Sequence, residues 1–146
     1  MTEPFRTIED YDLFLYTLTD RFPMVQRSTV TLVRRGATLA RVAGELFFAH
    51  GIRLVIRERL VYRHAPVLID NYGYEVWLGA EKIYWYDSQP HPDDVTLQAT
   101  DPHHKHIPPN IKQNRIPAPE MSFARPNLPA LIEEIESHIR ALERGG

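Results

Sequence analysis

Ile52-Arg-Leu-Val-Ile-Arg-Glu-Arg-Leu-Val-Tyr-Arg63 alternates with a period of two, and that period decides the class of fold. Ile52, Leu54, Ile56, Leu60 and Tyr62 fall on one side of an extended chain, while Arg53, Arg57, Arg59 and Arg63 fall on the other, with Val55 and Val61 among them. The segment therefore reads as a strand with one apolar and one cationic face. Glu58 interrupts the apolar row. A carboxylate there must find a partner or keep its proton, because burial opposes its charge. An ion pair with a neighbouring arginine and a functional role both remain open.

Working outward, Thr29–Val33 and Leu39–Phe48 carry the same alternation, turned by Arg35-Gly36-Ala37, and Gly44 marks a candidate bulge. Ala49-His50-Gly51 is a turn, which makes His50 a turn residue. Downstream, Leu68–Leu78 bears Tyr72 and Tyr74 on one face, and Lys82–Asp87 follows after Gly79-Ala80. At the N-terminal side Thr7 is placed to cap a helix whose apolar positions are Ile8, Tyr11, Leu15, Leu18 and Phe22. At the other end Asn127 is the expected cap of a helix with the stripe Leu128, Leu131, Ile132, Ile135, Ile139 and Leu142. Glu134/His138 and Glu136/Arg140 read as exposed i,i+4 pairs on it. The expected architecture is a single α+β domain over residues 1–146. It comprises an N-terminal helix, an antiparallel meander of about five strands, a long Pro/His-rich loop and a C-terminal helix.

With 146 residues, 43% hydrophobic and 25% charged, the chain can bury a core of its own. It has no cysteine, which removes disulfides, thiolate zinc sites and cysteine nucleophiles from consideration. No apolar run approaches membrane-spanning length, the N-terminal Met-Thr-Glu-Pro-Phe lacks the regions of a secretory signal, and the absence of cysteine suits a reducing cytosol. A net charge of −2 gives no global pull toward nucleic acid, but arginines crowd the first half and glutamates the last helix.

The candidate chemistry lies in Tyr84-Trp-Tyr-Asp-Ser-Gln-Pro-His91 and Asp101-Pro-His-His-Lys-His106, at the start of a proline-rich stretch, 88–126, read as the functional loop. Histidine titrates nearest neutral pH, so grouped imidazoles can exchange protons or bind metal. In an extended backbone His104 and His106 share one side, with His103 and Lys105 on the other, and Asp87 and His91 approach from the preceding strand end. One reading is metal-free acid–base cleavage of RNA by His91, His103, His104, His106, Asp87 and Lys105. Arg53, Arg57, Arg59, Tyr72 and Tyr74 would grip phosphates and bases. A second is a divalent metal at His91, His104 and His106, with Asp87 as a further candidate ligand. A third is a non-catalytic interaction module whose loop orders on a partner. There is no phosphate-binding glycine loop, nucleophile elbow or His-Glu-x-x-His helix.

Taken together, Glu58, Tyr72-Gly-Tyr74, Tyr86-Asp87-Ser-Gln-Pro90-His91 and Pro102-His-His-Lys-His106 resemble the TumE-type toxin family of prokaryotic type II toxin–antitoxin modules, from about residue 39 to the last helix. Trp85, Ser88 and Pro92 stand where that family usually has arginine, asparagine and a second histidine. The resemblance implies a small cytoplasmic toxin neutralised by a helix-turn-helix antitoxin protein, with growth inhibited through RNA cleavage. The chain has no run expected to enter a membrane, and its oligomeric state stays open.

Overall fold

The computed structural model describes residues 3–88, 103–112 and 114–145. Thr7 starts the first helix as expected, its Oγ1 accepting from the Asp10 N–H at 3.1 Å. Helix α1 (Ile8–Tyr16) buries Ile8, Tyr11, Phe14 and Leu15, and a short α2 (Leu18–Arg21) follows. The strands are β1 (Arg27–Ser28), β2 (Thr31–Arg35), β3 (Leu39–Phe47), β4 (Ile52–Val61), β5 (Leu68–Leu78), β6 (Glu81–Asp87), β7 (His104–His106) and β8 (Arg115–Pro117), and α3 (Leu128–Gly145) ends the chain. His50, at φ 65°, sits in the tight turn before β4.

The class is α+β, with eight strands among the described residues rather than about five. From β3 to β8 each strand pairs antiparallel with the next, and both β1 and β2 pair with the outer side of β3. Two of the added strands, β7 and β8, arise inside the stretch read as a loop. They are short, and β8 lies at the end of the strand order, where Pro117 costs no central ladder bond. Gly44 is not a bulge: Ser28↔Leu46 and Thr31↔Ala43 leave two residues facing two. Instead the backbone between β1 and β2 crosses it closely, so that a Cβ at Gly44 would stand 2.5 Å from Val30 Cα. The register shifts lie elsewhere, at Arg59/Leu60 in the β4–β5 pair and at Val76/Trp77 in the β5–β6 pair.

One sheet face is the core. Ala40, Val42, Leu54, Ile56, Leu60, Tyr72, Tyr74 and Val76 are buried there, together with the stripe Leu128, Leu131, Ile132, Ile135 and Ile139 of α3. Each such aliphatic side chain contributes roughly 1.5–3 kcal/mol by leaving water. Leu142, expected on that stripe, is exposed. Asn127 stands just before α3 as expected, its carbonyl accepting from the Leu131 N–H at 3.2 Å, but its side chain turns back on the preceding segment. Its Oδ1 accepts from the Ser122 N–H at 2.8 Å and its Nδ2 donates to the Tyr74 hydroxyl, so the side chain ties the preceding segment to the sheet. Among the described residues no helix is long and apolar enough to cross a membrane.

Candidate active site

The β6–β7 register sets Asp87 opposite His104 and Trp85 opposite His106. Residues two apart on a strand share a face, so the spacing His104-Lys105-His106 brings two imidazoles to the side that carries Asp87. Nε2 of His104 lies 2.5 Å from Asp87 Oδ1, and Nε2 of His106 lies 3.7 Å from Oδ2. The two rings meet edge to face, with centroids 4.9 Å apart. His104 is fully buried, His106 nearly so, and the Asp87 side chain, 13% exposed, is the outermost of the three. The Trp85 indole stacks on His106 at 3.8 Å between centroids, and its Nε1 donates to the Ile111 carbonyl. Burial holds the His106 imidazole below its ordinary pKa, an effect that the nearby Asp87 charge partly offsets.

The same face carries the arginines of β4. Arg53 is paired with Glu45 at 2.5 Å and lies over the Trp77 ring, Arg59 is paired with Asp70 at 3.1 Å, and Arg57 is exposed. A cavity of about 440 Å³ opens beside Arg41, Arg57, Arg59 and Asn71.

Four of the expected site residues face the other way. Tyr72 pairs with Glu58, on the core row, which fixes both Tyr72 and Tyr74 inside: they are 1% and 0% exposed. Neither can offer an open ring to a base, and burial holds both phenols above their ordinary pKa. Lys105 donates to Glu134 of α3 at 2.9 Å, so its charge is turned away from the imidazoles. His103 stacks on Tyr72, its Nδ1 2.7 Å from that hydroxyl, and burial lowers its pKa. His91 lies outside the described residues.

Among the described residues Glu58 pairs with no arginine. It accepts from the hydroxyls of Tyr11 at 2.6 Å and Tyr74 at 2.5 Å, and burial raises its pKa despite both bonds. Glu134, read as half of a solvated pair with His138, instead accepts from Tyr86 and Lys105. Neither partner set was visible in sequence, since both depend on contacts between distant segments. The available signal was polar chemistry on an apolar row: Tyr11 on the helix stripe and Glu58 on the strand.

The arrangement supports two kinds of chemistry. An imidazole–carboxylate–imidazole group can pass protons. The ligand atoms of Asp87, His104 and His106 also lie within 4.8 Å of one another, so the three side chains are able to hold a divalent ion. A family model described as Toxin TumE matches residues 15–139. No curated protein and no solved structure matches the chain.

Proposed function

The chain belongs to the Toxin TumE family, and from that premise we propose that it is the toxin of a type II toxin–antitoxin pair, a metal-independent endoribonuclease acting in the cytoplasm and silenced by a helix-turn-helix antitoxin protein. One observation carries the ribonuclease reading: Asp87, His104 and His106 converge on the sheet face that also bears Arg53, Arg57 and Arg59. Cleavage by the internal 2′-hydroxyl needs a base, a proton source for the leaving 5′-oxygen, and fixed positive charge for the phosphorane. His106, with its lowered pKa, would be the uncharged base for the 2′-hydroxyl proton; its ring nitrogens are buried, so the substrate must reach them past Asp87, the outermost of the three side chains. The 2′-oxygen attacks phosphorus, the bond to the 5′-oxygen breaks, and the His104–Asp87 pair returns a proton through its outer member. The products are a 2′,3′-cyclic phosphate and a 5′-hydroxyl end.

The test is to induce the protein in cells and to incubate it, purified, with RNA and with DNA. RNA fragments bearing cyclic phosphate ends, intact DNA, and a loss of about 10²-fold or more on His106→Ala or Asp87→Asn are expected. Growth arrest with RNA left whole, unchanged in those folded variants, would discard the reading in favour of action by binding. The convergence of three ligand atoms favours one second reading, a nuclease that works through a divalent ion held by Asp87, His104 and His106. Activity that disappears with a chelator and returns with added metal distinguishes it.

A further inference from the structure

We infer that Arg57 is the phosphate-binding cation of this site, and that residue 73 is glycine so that the Arg57 guanidinium can lie across it; the inference rests on the RNA-cleaving reading above. Arg57, Gly73, Asp87 and His104 are successive Cα partners across β4, β5, β6 and β7. Side chains of such partners emerge on the same face. In this row one position is bare. A Cβ at Gly73 would come 2.3 Å from Arg57 Nη2 and 2.9 Å from Cζ, so the guanidinium occupies the space that any other residue would fill. Gly73 is not among the glycines with positive φ, so its backbone makes no demand for glycine. A glycine inside a strand weakens it and marks a close approach; here the approaching group is a cation, and the next residue along the row is Asp87.

The neighbouring charges leave Arg57 for this role. Arg53 is engaged by Glu45 and Arg59 by Asp70, whereas among the described residues no carboxylate pairs with Arg57, which is exposed. A planar guanidinium fork can give two parallel N–H bonds to the non-bridging oxygens of a phosphodiester, a geometry that an ammonium cannot copy. Arg57 would thus hold the phosphate one strand spacing from the proton-exchanging groups, with Gly73 as a positioning residue that never touches substrate.

The test compares Arg57→Ala, Gly73→Ala and the double variant with the wild type. Two readouts are taken: RNA cleavage, and binding of a 2′-deoxy oligonucleotide that lacks the internal nucleophile. Each single change should lower cleavage about 10²-fold. Each should also weaken oligonucleotide binding and flatten its salt dependence by about one phosphate contact. The double variant should be no worse than Arg57→Ala, because the added methyl then displaces nothing. If Gly73→Ala alone fails to fold, the double variant should fold again for the same reason. Wild-type cleavage by folded Gly73→Ala, or losses that multiply in the double variant, would overturn the positioning role. A wild type that binds the oligonucleotide through Arg57 yet cleaves no RNA would instead sink the ribonuclease reading and leave the binding role standing.

Discussion

The Tyr74 hydroxyl donates to Glu58 at 2.5 Å, deep in the core, and the second carboxylate oxygen accepts from Tyr11 at 2.6 Å. Asn127 in turn donates to Tyr74 at 3.1 Å. One carboxyl group therefore joins α1, β4, β5 and the segment entering α3.

Burial raises the Glu58 pKa, so the folded chain keeps a proton that the unfolded chain gives up. The sign follows: this contribution to stability is complete below the unfolded carboxyl value of about 4.3 and is lost as pH rises through the folded value. Glu58→Gln, neutral at every pH, should flatten the fall in the urea midpoint between acid and neutral pH. Glu58→Ala should cost on the order of 3 kcal/mol by leaving two buried hydroxyls without their acceptor. Urea titrations of the three forms across that range decide it; equal pH slopes for wild type and Glu58→Gln would refute the raised pKa.

Lys105 is held by α3 on the core side of the sheet, away from the imidazoles. It donates to Glu134 at 2.9 Å and lies 4.4 Å from the Tyr84 ring centre, while Tyr86 donates to the same carboxylate. Lys105→Met should leave RNA cleavage at the wild-type rate while lowering stability by roughly 1 kcal/mol. Glu134→Ala, which strands the Tyr86 hydroxyl as well, should cost more. Chemical denaturation alongside the cleavage assay separates the two effects.

How much of this was legible depends on the range of the interaction. The alternation of 52–63, the Thr7 cap and the apolar stripe of α3 as far as Ile139 are local patterns, and they read correctly. So does the shared side of His104 and His106, which needs only an extended backbone. The strands β7 and β8 were missed because three-residue segments in a proline-rich stretch carry too little periodicity to register. The side taken by Tyr72 and Tyr74 was hidden for another reason. Their spacing says that they share a face, but only the pairing of Tyr72 with Glu58 says that this face is the core.

Chelation provides the next check. If protons rather than a metal carry the reaction, protein dialysed against a strong chelator should cleave RNA at the rate of untreated protein and should retain no stoichiometric zinc by elemental analysis. Cleavage lost on chelation and restored by zinc or manganese would transfer Asp87, His104 and His106 from proton exchange to metal ligation.

The last prediction concerns His106 itself. Burial lowers its pKa and the Asp87 charge opposes that shift, so the imidazole becomes uncharged at a lower pH than an ordinary histidine. If it is the base, the acidic limb of the cleavage profile should have its midpoint below 6.5. Trp85 stacks on the ring at 3.8 Å, and Trp85→Ala should admit water and move the midpoint upward toward the ordinary value. Asp87→Asn removes the charge that favours the imidazolium and should move it further down. The opposite signs are readable by NMR titration of the His106 ring, in the absence of any substrate. Two variants shifting the same way would mean that burial and the carboxylate do not act on His106 as the geometry requires.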